Sequence, residues 1–165
     1  MLEQKKLREA KNVSIVDYEA KYAKVFKSLN EKWISQHFVM EKSDLYALDN
    51  PKENILDKGG HILIALYKGE AVGTCALLKT EDSQYDYELA KMAVSENAKG
   101  KGIGYILGKE TINKAKAEGA KSIYLESNRI LKPAISLYLK LGFKEVVGIH
   151  SPYERCNIQM ELKLK

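Results

Sequence analysis

The 165-residue sequence has two cysteines, three prolines, three histidines and one tryptophan, and each scarcity excludes something. Two cysteines, Cys75 and Cys156, cannot staple a disulfide-rich secreted fold. Both fall inside predicted strands and read as reduced thiols of a cytoplasmic protein. His37, His61 and His150 share no metal-ligand spacing, so each reads as packed or exposed and no metal is expected. No apolar run approaches the roughly 18 residues of a membrane span. The charged start MLEQKKLREAKN lacks the apolar core of a secretory signal. The net charge of +5 is spread over scattered lysines, without the aromatic-basic interleaving of a nucleic-acid surface. Two phosphate-binding signatures are missing as well. No Gly-Lys is followed by Ser or Thr, which excludes a P-loop. The dinucleotide fingerprint fails because its third glycine would fall on Tyr105 or Leu107.

What is present is a glycine-rich turn, Lys99-Gly100-Lys101-Gly102-Ile103-Gly104-Tyr105, between an apolar strand and a helix. Glycine tolerates positive φ and lets a backbone approach a ligand closely. A helix start leaves N–H groups unpaired and carries partial positive charge. Together they form an anion socket suited to phosphate oxygens. Lys99 and Lys101 are open to two readings, solvated side chains or phosphate contacts.

The length suits one domain over 1–165, with 1–11 a frayed or helical extension. Asn12–Val16 alternates as a first strand. Asp17 is placed as N-cap of a helix carrying Tyr22, Phe26, Leu29 and Trp33. A short helix follows over Lys42–Leu48, then another turn opened by Pro51. Strands are predicted at His61–Tyr67, Ala71–Thr80, Tyr85–Val94, Lys121–Ser127, Phe143–Ile149 and Arg155–Leu164, with a polar loop at Glu81–Gln84. Helices fill 102–118, stopped by Gly119, and the segment from Pro133 to Gly142. The strand–helix–strand unit 85–127 should be parallel and right-handed, and the other pairings mostly antiparallel.

Three segments in order resemble the GNAT N-acetyltransferase superfamily. The glycine turn is similar to its acyl-CoA pyrophosphate loop, [QR]-x-x-G-x-[GA], with Lys99 in place of Gln or Arg and Gly102 and Gly104 matching. Ala134–Phe143 (AISLYLKLGF) resembles the family's A-I-x-L-Y-x-x-x-G-F segment, and Glu88–Val94 (ELAKMAV) its fourth strand. The resemblance is specific over residues 61–148. It implies an α/β fold of the mixed kind: a mostly antiparallel sheet of about six to seven strands, flanked by helices, with one parallel pair that splays. It implies acetyl-CoA as co-substrate, its pantetheine arm in the gap beside Met92, Ala93 and Val94 on one strand and Ser127-Asn128 on the other. Its pyrophosphate would lie on residues 99–105.

The same resemblance implies an N-acetyltransferase acting on a primary amine by direct attack, the acceptor a small molecule or a peptide. Tyr138 stands at the position of the acid that protonates or holds the departing thiolate, against a core-tyrosine reading. Glu88 stands at the general base of the histone-acetyltransferase branch. Glu126 is the rival base, and a surface or ion-paired strand residue the plain reading of either. Many members carry Asn where this chain has Leu131, and Asn128 is a substitute polar contact to the cofactor. Trp33 with Phe38, and Ser151–Arg155, are candidates for the acceptor wall. The last strands often mediate dimers in that family, which leaves a homodimer open. The competing readings are a non-catalytic acyl-CoA-binding regulatory module and a basic nucleic-acid-binding domain.

Overall fold

A computed structural model describes residues 12–81, 84–149, 151 and 153–165. The expected extension at 1–11, the middle of the 81–84 loop, His150 and Pro152 lie outside these residues. Seven strands form one sheet: β1 (Val13–Asp17), β2 (His61–Tyr67), β3 (Glu70–Lys79), β4 (Tyr87–Val94), β5 (Ser122–Ser127), β6 (Lys144–Val146) and β7 (Ile158–Lys163), in the order β1-β2-β3-β4-β5-β7-β6. Among the described residues, only β4 and β5 run parallel. Among the described residues, four α-helices flank the sheet: α1 (Ala23–His37), α2 (Lys42–Asp49), α3 (Ile103–Ala117) and α4 (Lys132–Leu141). None is long and apolar enough to cross a membrane among the described residues.

The apolar run of β2 has a two-sided explanation. Leu63 and Ala65 face a core shared with Leu107 and Ile112 of α3, while Ile62 and Ile64 face one shared with Phe26 and Ile34 of α1. A strand covered on both faces reads as continuous apolar sequence rather than alternation. The β2–β3 hairpin turns at Lys68 (φ 51) and Gly69 (φ 83), the double positive φ that a tight hairpin turn requires.

Several expectations need correction. Asp17 does not cap α1. It stays in β1, paired with Leu63, and the chain enters α1 through a 3₁₀ turn (Ala20–Tyr22) with no side-chain cap. Pro51, by contrast, opens a short helix as expected, Lys52–Leu56, of the π type. β6 covers only Lys144–Val146, and Gly148 (φ 85) follows it in a left-handed turn. Cys156 lies outside β7, which begins at Ile158. Arg155 is drawn away from the ladder toward α2 by Glu41 and Asp44.

Candidate active site

The parallel pair creates the site. β4 and β5 pair only at Tyr87–Ile123 and Glu88–Tyr124. Beyond that point β4 follows β3 while β5 follows β7, and a gap opens at their C-terminal ends. β4 also carries a bulge: Thr74 pairs with Ala93 and Ala76 with Ala90, so Lys91 and Met92 together oppose Cys75. Lys91 takes φ 52, a left-handed conformation that non-glycine residues adopt at a cost. A buried relay fixes it. Asn30 Nδ2 donates to Thr74 Oγ1 (3.1 Å) and to Phe26 O (2.8 Å), and Thr74 Oγ1 donates to Lys91 O (3.1 Å).

Two cavities occupy the gap. The outer one is lined by Met92, Ala93 and Val94, by Lys99, Gly100, Gly102, Ile103, Gly104 and Tyr105, and by Leu137 and Tyr138 of α4. Gly100 (φ 82) and Gly102 (φ 74) are both left-handed, and a Cβ on either would meet no protein atom within 4 Å. Gly102 is the N-cap of α3 and gives no side-chain hydrogen bond, so the first-turn amides retain their capacity for a ligand. Lys99 pairs with Glu96 at 2.7 Å. Lys101 does not line this cavity; its ammonium lies 5.0 Å from the Tyr67 ring centroid.

The inner cavity lies beside Glu88 and Glu126. Its walls are Trp33 and Ile34 of α1, Phe38 just beyond its end, Glu88–Met92 of β4, the end of β5, and Tyr153, Arg155 and Cys156. Both proposed acceptor-wall aromatics, Trp33 and Phe38, therefore face it. Trp33, Met92 and Tyr138 line both cavities and stand at their junction. Burial, with a smaller contribution from Cys75, pushes the Tyr138 phenol well above its usual range. Its ring packs edge-on against Phe143.

Burial pushes the Glu88 carboxyl up to about 7, the Glu126 charge adds to this, and Lys91 opposes it. Glu126 accepts hydrogen bonds from Tyr124 Oη (2.6 Å) and Ser151 Oγ (2.6 Å). Asn128 lines the inner cavity, not the glycine groove. Its amide donates to Arg155 O (2.7 Å) and accepts from Ile130 N (3.0 Å). Cys75 is fully buried and burial pushes its thiol up to about 12, which suits an inert core position.

One cluster escaped the sequence reading. Asp44 of α2 is fully buried and bonds Lys91 Nζ (2.8 Å), Arg155 Nη1 (2.7 Å) and Arg155 Nη2 (2.6 Å). The signal was a lysine inside the otherwise apolar LAKMAV, although no spacing could name its partners.

Residues 23–143 match the acetyltransferase (GNAT) family. The N-acetyltransferase YjgM of Escherichia coli is 34% identical over 94 residues, 56% of this chain and 56% of that protein. YvbK of Bacillus subtilis, also named an N-acetyltransferase, is 34% identical over 107 residues, 63% of this chain and 68% of that one. The matched segment thus spans little more than half the length of the first relative and about two thirds of the second. Among solved structures, a GNAT-family acetyltransferase from Staphylococcus aureus superposes with TM-score 0.81 at 22% identity, covering 93% of this chain and 99% of that one. The acetyltransferase yncA of Salmonella typhimurium, solved with its cofactor acetyl-CoA, gives TM-score 0.75 at 19% identity, covering 93% and 95%. The two structures establish a shared fold. With a family match across most of its length, a seven-stranded sheet that parts after one short parallel pairing, and a glycine turn at the mouth of the gap, the chain belongs to the GNAT acetyltransferase family.

Proposed function

We propose that this protein transfers an acetyl group from acetyl-CoA directly to a primary amine, without a covalent enzyme intermediate. One observation carries the reading: two cavities meet at Tyr138 inside the split between β4 and β5, one flanked by a helix N-terminus and the other holding a carboxyl that titrates near neutrality.

The outer cavity fits the coenzyme. Open space over two left-handed glycines and an uncapped helix start suit a diphosphate. Amides of 99–105 would hold that part, Met92–Val94 would offer main-chain groups to the pantetheine arm, and Asn128 would bound its inner end. Bound there, acetyl-CoA supplies the activated acetyl thioester.

The chain's own residues do the proton work. An aliphatic ammonium has a pKa near 10.4 and must lose a proton before its nitrogen can act as a nucleophile. A Glu88 carboxylate, half ionised near pH 7, can take that proton. Tyr138 keeps its phenolic proton throughout the neutral range. Its hydroxyl therefore serves as hydrogen-bond donor to a leaving sulfur, a milder role than outright acid. Two free thiols, one of them buried, are consistent with a reducing compartment such as the cytoplasm.

Calorimetric titration with acetyl-CoA and thiol release with an amine panel test the reading. Gly102→Glu should abolish coenzyme binding by placing an anion in the socket, whereas Tyr138→Phe should lower turnover far more than coenzyme affinity. Binding without thiol release for any amine would instead establish a non-catalytic acyl-CoA module.

A further inference from the structure

The charges around the inner cavity are unequally committed. Two cations line it, Lys91 and Arg155. Both are already matched: Asp44 bonds both, and Glu41 takes a further bond from Arg155 Nη1 at 3.1 Å. The Tyr153 ring covers them as well, 5.3 Å from Lys91 Nζ and 4.7 Å from Arg155 Cζ. Two cations thus face two carboxylates in a cluster sealed from water on the Asp44 side. Among the described lining residues, no cation remains for a ligand's carboxylate.

The anions differ. Glu88 makes no hydrogen bond or ion pair among the described residues, although it is largely screened from solvent and faces the cavity. Among the described residues, Glu126 has only the neutral hydroxyls of Tyr124 and Ser151 as hydrogen-bond partners. A carboxylate withdrawn from water is stabilised chiefly by a cation. The pairing of Glu88 with Tyr124 puts Glu88, Tyr124 and Glu126 on one sheet face. Glu126 lies two residues further along, an offset of about 7 Å. Apolar Trp33, Phe38 and Met92 border the same space. Its walls come from α1, β4, β5 and the segment before β7, so four separate parts of the chain converge on one concave site.

Resting on the acetyltransferase reading, we propose that the acceptor is a small diamine or polyamine: one nitrogen is presented to Glu88, a second ammonium pairs with Glu126, and no carboxylate is carried beside them. The reacting ammonium gives one proton to Glu88. Its neutral nitrogen then forms the amide bond to the acetyl carbon as the carbonyl–sulfur bond breaks, and its second proton leaves with the departing thiolate as the free thiol. The second ammonium stays charged and unreacted at Glu126.

Putrescine, butylamine and γ-aminobutyrate share one four-carbon chain and differ only in the far group, so thiol release with the three tests the charge inventory. The expected order of kcat/KM is putrescine, butylamine, γ-aminobutyrate, with about tenfold or more between first and last. Glu126→Gln should shrink the putrescine-to-butylamine ratio toward one, with thermal melting as the check on folding. Ser151→Ala, which frees one Glu126 oxygen for the second ammonium, should instead keep the ratio at or above that of the wild type. Equal use of γ-aminobutyrate and putrescine, or a ratio unmoved in folded Glu126→Gln, overturns the inference. Acetyl-CoA affinity is measured separately. If the coenzyme binds and none of the three amines is acetylated, the acceptor class is wrong and the coenzyme site stands. If it does not bind, the acetyltransferase reading itself falls.

Discussion

Glu88 is a strand residue whose proton affinity is set by what surrounds it. An ordinary glutamate would be ionised well below neutrality, but burial and the Glu126 charge bring this one to about 7. The folded state therefore binds a proton that the unfolded state releases between 4.5 and about 7, and the penalty for ionising Glu88 grows across that window. Glu88→Gln removes the penalty. Its gain in unfolding free energy over wild type, read from urea titrations, should be absent below pH 4.5, rise toward pH 7 and level off above, reaching up to about 3 kcal/mol. The same variant should lose the acid limb of the kcat/KM profile. A variant that keeps that limb would place the base elsewhere. The sequence disclosed Glu88 as a candidate through its place in ELAKMAV, yet Glu126 remained a rival because both end in the same functional group. Their hydrogen bonds separate them, since Glu126 is held by two hydroxyls and Glu88 by none among the described residues.

At the level of elements, β4 is the part on which the site turns. Its first half pairs with β5 and its second half parts from it, with the Lys91–Met92 bulge between. The Asn30–Thr74 relay anchors the bulge to α1, so the helix that supplies Trp33 to the cavities also fixes the strand that lines them. Thr74→Val keeps the shape and deletes the hydroxyl, leaving Lys91 O and one Asn30 amide hydrogen without this partner. The expected cost in urea unfolding is about 1–3 kcal/mol. Turnover should fall alongside, because the left-handed Lys91 loses its tether. The boundaries of β2, β3, β5 and α3 were legible to within a residue or so, because apolar periodicity and glycine stops mark them. The bulge was not legible. It depends on a one-residue mismatch between β3 and β4, which neither strand records alone.

Across the whole molecule, the sheet separates two cores, and the Asp44 cluster joins the parts those cores leave apart. It connects α2, the bulge of β4 and the segment before β7 through one buried carboxylate. Burial alone would raise the Asp44 carboxyl; hydrogen bonds from Arg155 and Lys91 outweigh it and hold the group at about 2. Its contribution to stability is fully present above pH 3.8 and is lost as pH falls through about 2. Asp44→Asn leaves Lys91 and Arg155 without their shared counter-ion, and should cost about 3–5 kcal/mol at neutral pH. Thermal melts should show that deficit narrowing from pH 3.8 downward toward 2.

The linear sequence determined the order of strands and helices, the parallel crossover and the glycine turn at the start of α3. These rest on local causes: backbone permissiveness, helix ends and the spacing of apolar residues. The tertiary structure alone decided that Asp44, Lys91 and Arg155 meet, that Tyr138 stands between two cavities, and that Glu88 titrates near neutrality. Each of these follows from groups far apart in the chain being brought together and shielded from water, where charges interact strongly and must find partners.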